Sequence, residues 1–191
     1  MELNTANVLT LLRILLIPVL VVVFYLPNWW SNWATAIIFS VAAITDWLDG
    51  YVARRFNQTS RFGAFLDPVA DKLMVGVTLV LLVQHHPTAF FAIPAAVIIG
   101  REITISALRE WMAELGQRSA VNVKAIGKVK TTFQMIALIL LLLREPVLFI
   151  PTFEIGHVAL WVAALLTIWS MIIYLRAAWP LLTHPMQKPP E

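Results

Sequence analysis

Asp46-Trp47-Leu48-Asp49-Gly50-Tyr51-Val52-Ala53-Arg54, followed by Gly63, Asp67 and Asp71, is the stretch on which the reading of this chain turns. It holds every aspartate in the 191 residues. Asp46 and Asp49 are three positions apart and Asp67 and Asp71 four apart, so each pair projects from one face if its segment is helical. Residues 34–44 before the stretch and 73–83 after it are almost wholly apolar. Carboxylates at the end of a membrane helix are costly and mark an ion or substrate site. Four of them gathered together repel one another and stay largely protonated unless cations hold them. An all-oxygen ligand set suits Mg²⁺ or Mn²⁺ rather than Zn²⁺, which favours nitrogen and sulfur.

Working outward, the composition belongs to a bilayer rather than to water: 60% of residues are hydrophobic and 13% charged, with a mean hydropathy of +0.79. The absence of cysteine excludes disulfides, thiolate nucleophiles and cysteine metal sites. No small-residue cleavage site follows the first apolar run, which is therefore expected to be retained. Apolar runs predict an all-α, polytopic membrane protein with six transmembrane helices near 8–26, 34–56, 67–85, 89–110, 127–143 and 157–182. They form one domain over residues 1–183, with a short tail at 184–191. Pro18 and Pro94 fall inside apolar runs and predict kinks.

Basic residues set the orientation, because Lys and Arg stay preferentially on the cytoplasmic side. Arg54, Arg55, Arg61 and Lys72 cluster at one connection, and Arg109, Arg118, Lys124, Lys128 and Lys130 at a second; Arg176 and Lys188 lie in or near the tail. The opposite loops hold only Arg144. Both termini and the aspartate cluster are thus expected to face the cytoplasm. Trp29, Trp30 and Trp33 then suit an outer aromatic belt and Trp179 an inner one.

The spacing DxxDGxxAR(x8)GxxxDxxxD resembles the signature of the CDP-alcohol phosphotransferases, with every fixed position met between Asp46 and Asp71. The resemblance implies the CDP-alcohol phosphotransferase fold and an integral membrane enzyme that joins an alcohol to the phosphoryl group of a CDP-linked donor, releasing CMP. It implies two Mg²⁺ or Mn²⁺ ions held by Asp46, Asp49, Asp67 and Asp71, the last also acting as general base. Gly50 and Ala53 would let the cytidine and its phosphates approach the helix closely. Gly63 is expected to serve the turn between the helices. Arg54 reads equally well as a phosphate neutraliser or an interfacial anchor.

The resemblance extends over nearly the whole chain. Arg101-Glu102-Ile103, Arg109 to Gly116, Gly127 to Gln134 and the opening Asn7 to Arg13 look like bacterial members that transfer the phosphatidyl group of CDP-diacylglycerol to sn-glycerol 3-phosphate. Asn7 and Thr10 are expected near the nucleotide. Arg13, Arg101, Arg109, Arg118, Lys128 and Lys130 are expected near the acceptor phosphate, since a dianion needs fixed counter-charges and a neutral alcohol does not. The bland alternative is that these cations obey the positive-inside rule and bind anionic head groups. Arg101 stands out as too deep in its span for a casual surface charge.

A homodimer in the bacterial inner membrane, with membrane lipids and no nucleic acid as partners, completes the expectation. Serine or an inositol phosphate as acceptor is the alternative within the family. A divalent-cation transporter is the alternative outside it, disfavoured because no second acidic half-site lies across the membrane. His85 and His86 sit at an outer turn, and His157 and His184 read as isolated, so no catalytic histidine is expected.

Overall fold

The computed structural model describes residues 5–56, 61–114 and 124–183. They form six helices: α1 (Thr5–Tyr25), α2 (Ser31–Phe56), α3 (Arg61–His85), α4 (Ala89–Glu114), α5 (Lys124–Leu143) and α6 (Thr152–Thr183). No strand occurs among the described residues. An isolated bridge between Val147 and Ile150 closes the loop before α6.

Six apolar runs become six helices, in the expected order and with shifted ends. α4 continues to Glu114 and α6 begins at Thr152, because polar residues at a membrane surface extend a helix whose apolar count has already ended. Among the described residues α1, α4 and α6 are long and apolar enough to cross a membrane, while α2 and α5 contribute the shorter apolar stretches Ser31–Thr45 and Val129–Leu143. Pro18, Pro68 and Pro94 lie inside helices that run through them.

Hydroxyl side chains enter the apolar helices by bonding back one turn. Thr35 donates to the Ser31 carbonyl, Thr45 to Val41, Thr78 to Met74 and Thr104 to Gly100, so none carries an unmet polar group into the interior. α1 packs on α2 and α3, α5 on α6 and α2, and α4 on α6. The main core contains Leu20, Phe39, Leu79, Ile98, Leu138 and Leu160. A second cluster, Ile105, Leu108, Met112, Tyr174 and Ala178, joins α4 to α6 nearer their C-terminal ends.

The outward surface is broader than Leu, Ile and Val of the first, third and sixth spans. Val22, Leu73 and Leu165 are exposed as expected, and so are Ile37, Ile93 and Ile136 of the other three helices. Trp29, Trp30, Trp33 and Trp179 are all exposed. His157 is not isolated: its ring lies 4.5 Å from that of Phe91 and 4.9 Å from that of Phe90. His86 stacks on the same Phe91 at 5.2 Å. Sequence distance concealed this cluster because α6 folds back onto the α3–α4 turn. His184 lies outside the described residues.

Candidate active site

α2 and α3 run antiparallel. A narrow cleft is lined by Phe39, Ala42 and Ala43 of α2 and by Asp71, Met74 and Val75 of α3, with Arg13 and Met135 completing the walls. Positions 46 and 49 lie in the C-terminal half of α2, and position 67 lies near the start of α3. The side chains of Asp46, Asp49, Gly50, Ala53 and Arg54 are outside the described residues, and only their place on α2 is given.

On α3, Asp67 and Asp71 are one helical turn apart. Thr10 of α1 donates its hydroxyl to Asp67 Oδ1 at 2.5 Å and is itself fully buried. Arg13, one turn further along α1, is 1% exposed and shares the cleft with Asp71. Asn7, also buried, lies on the preceding turn of α1. Of the expected α1 residues, Thr10 thus bonds Asp67 directly and Arg13 shares a cleft with Asp71.

Gly63 corrects an expectation. It lies within the first turn of α3 and is buried, so it is not part of the turn between the helices. The helix starts at Arg61, earlier than the apolar count implied.

The cationic side is built from α4, α5 and α6. Arg101 is 8% exposed and Lys130 1%, burial that a positive-inside surface charge would not need. Glu102 receives both, Arg101 at 3.0 Å and Lys130 through a short contact. Arg101 also donates to Ser170 Oγ at 3.1 Å, and Arg109 donates to the Tyr174 hydroxyl at 2.7 Å. Lys130 lies within electrostatic reach of Asp71, which links this side to the aspartates. Lys128 has its backbone on α5 but no described side chain, and Arg118 lies outside the described residues.

Sequence reading missed Ser170 and Tyr174. Both are ordinary residues in an apolar helix, and only the approach of α6 to α4 brings them to the arginines. The remaining signal was Thr167, Ser170 and Tyr174 at helical spacing, a polar row in an otherwise apolar segment.

A groove of about 560 Å³ opens beside the site between α3, α4 and α1. Lys72 and Glu102 stand at one end of it, and Val77, Val80, Ile98 and Ile99 line its length. Gly76 adds width, since no atom lies within 4 Å of where its Cβ would be.

Asp67 and Asp71 are one turn apart on α3, and carboxylate oxygens are the donors that Mg²⁺ and Mn²⁺ take.

The sequence profile of the CDP-alcohol phosphatidyltransferase family matches residues 3–169. The chain is 57% identical over 178 residues to a Shigella flexneri protein named CDP-diacylglycerol–glycerol-3-phosphate 3-phosphatidyltransferase, covering 93% of this chain and 96% of that one. An Escherichia coli protein of the same name is 58% identical over 179 residues, with the same coverage.

Proposed function

Because the chain belongs to the CDP-alcohol phosphatidyltransferase family, we propose that it transfers the phosphatidyl group of CDP-diacylglycerol to sn-glycerol 3-phosphate, giving phosphatidylglycerol phosphate and CMP. The observation that carries this reading is the 57% identity, over 93% of the chain, to a relative named for that reaction. Arg101 and Lys130, both buried and both on Glu102, with Lys130 in electrostatic reach of Asp71, supply what a phosphorylated acceptor needs and a neutral alcohol does not.

In this reading Asp46, Asp49, Asp67 and Asp71 would hold two divalent ions, Mg²⁺ or Mn²⁺, which would supply charge neutralisation for the diphosphate. Asp71 takes the proton of the acceptor hydroxyl as that oxygen bonds to the phosphatidyl phosphorus, and the bond from phosphorus to the CMP oxygen breaks. Gly50, Ala53 and Gly63 give the nucleotide room, and Arg54, Asn7 and Thr10 border it. Arg13, Arg101, Arg109, Arg118, Lys128 and Lys130 bind acceptor phosphate. The α3–α4 groove suits the diacylglycerol chains of a donor arriving laterally from the bilayer, with its diphosphate at the Lys72 end. The site faces the cytoplasm of a bacterial inner membrane, where glycerol phosphate is available, and the protein works as a homodimer.

Purified protein assayed with CDP-diacylglycerol and a panel of acceptors tests the proposal. CMP release with glycerol 3-phosphate alone is expected, stopping on chelation and returning with Mg²⁺ or Mn²⁺. Asp71→Asn is expected to bind the lipid donor yet release no CMP. Release with serine in place of glycerol 3-phosphate would overturn the choice of acceptor.

A further inference from the structure

α6 contributes no residue to the family signature, yet it hydrogen-bonds two arginines on the cationic side of the site. Its residues Thr167, Ser170 and Tyr174 fall on one face, and their exposures are 0%, 0% and 5%. Buried polar groups in a membrane helix are costly unless something uses them. Here two of the three are used by arginines of α4.

The hydrogen bonding is directional. Ser170 gives its hydroxyl proton to the Thr167 carbonyl at 2.9 Å, which leaves its oxygen facing Arg101 as an acceptor, and Arg101 donates to it at 3.1 Å. Four residues later, the Tyr174 hydroxyl accepts from Arg109 at 2.7 Å. The Tyr174 ring lies 5.7 Å from the Arg101 guanidinium carbon and 5.3 Å from that of Arg109, within range of a cation–π attraction to each. Arg101 and Arg109 are about 12 Å apart along α4 by helical rise. Arg109 leans back toward the N-terminus of its helix, the direction helical side chains favour, and so reaches the same tyrosine as Arg101. Two guanidinium groups brought to one place repel each other, and an aromatic face with a hydroxyl acceptor offsets that repulsion. Arg101 Nε, buried, finds no hydrogen-bond partner among the described residues. One donor on the rack is therefore still to be met, and an anion would meet it.

We infer that Ser170 and Tyr174 are positioning residues that hold Arg101 and Arg109 as a prebuilt clamp for the phosphate of the acceptor. This rests on the reading of the acceptor as glycerol 3-phosphate. Neither residue touches the reacting atoms; each acts through an arginine. The clamp sets preference for a phosphorylated acceptor, because preorganised guanidinium groups bind a dianion without first losing side-chain freedom.

The test separates positioning from packing, since Tyr174 also packs against Ile105, Leu108 and Met112. Tyr174→Phe keeps the ring and removes the hydroxyl, and Ser170→Ala removes the acceptor of Arg101. Each is expected to raise KM for glycerol 3-phosphate about tenfold, the loss of one hydrogen bond to a charged group. Each should leave kcat within about twofold and KM for CDP-diacylglycerol unchanged, with the melting temperature lowered by no more than a few degrees. Ser170→Thr, which keeps a hydroxyl, should restore KM. An unaltered KM in both variants, or a loss of kcat and melting temperature that Ser170→Thr does not repair, overturns the inference. The wild type in the same assay tells the two failures apart. If it uses glycerol 3-phosphate while the variants match it, the clamp is wrong and the acceptor right. If it uses only an unphosphorylated alcohol, the acceptor is wrong and the clamp falls with it.

Discussion

Thr10 shows how one small side chain constrains a larger one. Its hydroxyl bonds Asp67 Oδ1 across a sequence separation of 57 residues, and the bond holds the carboxylate in one orientation for whatever it ligates. Outer partners of this kind matter to metal affinity by about 10- to 100-fold. Thr10→Val is accordingly expected to raise the Mg²⁺ concentration for half-maximal CMP release by about tenfold, with Thr10→Ser near wild type; a metal titration of activity reads it. At the other end of the molecule, burial, then the Arg144 charge, then His157 lower the pKa of His86 below its ordinary 6.5. His86 therefore takes up a proton less readily in the folded protein than in the unfolded chain. Its stabilising share is complete above pH about 6.5 and is lost as pH falls below that value. The melting temperature should be lower at pH 5.5 than at pH 7.5, and His86→Phe should flatten the difference.

Between elements, α5 and α6 approach closely at Gly156. A Cβ there would meet Leu140 Cβ and Leu141 Cγ at 3.0 Å each, and Leu141 is fully buried. Neither leucine can move away without disturbing the core. Gly100 is the contrasting case, with nothing within 4 Å of its Cβ position. Gly156→Val is expected to destabilise by about 1–3 kcal/mol through overpacking, whereas Gly100→Ala should be neutral or stabilise by up to about 1 kcal/mol through helix propensity. Melting temperatures in one detergent compare the two directly. Length separates the helices as well: α6 has 32 residues and spans about 48 Å, well beyond a hydrocarbon core of roughly 30 Å. Its last turns therefore pass the membrane surface, as the exposed Arg176 and Trp179 agree.

For the whole molecule, the alternation of basic and neutral connections predicts which end faces the cytoplasm, and the lack of cysteine makes the prediction easy to read. Glu145 lies in the outer connection and Glu114 at the C-terminal end of α4, and both are exposed. In intact cells a membrane-impermeant maleimide should label Glu145→Cys, and it should label Glu114→Cys only after the membrane is opened. The reverse pattern would invert the protein and move the aspartates to the outer face. The end that carries the α1–α2 and α5–α6 connections is braced by Arg144, which has a positive φ of 59°, donates to the Phe24 carbonyl at 3.3 Å and lies 3.8 Å over the Phe24 ring. This bond joins the α5–α6 loop to the end of α1, so the two connections are held together.

Six helices, their order and the placing of Asp67 and Asp71 one turn apart on one helix were legible along the chain, because apolar length and the spacing of charges are local properties that survive any packing. Arg101 was legible for the same reason: a charge deep within an apolar run is improbable unless it has a use. Tertiary structure alone decided that Thr10 meets Asp67, that Glu102 gathers Arg101 and Lys130, and that Ser170 and Tyr174 support two arginines. Helical periodicity tells which face a residue occupies on its own helix; which neighbour that face meets, and at what depth, depends on how separate helices cross. A hydroxyl in an apolar segment reads the same whether it bonds its own backbone, as Thr78 does, or an arginine on another helix, as Ser170 does.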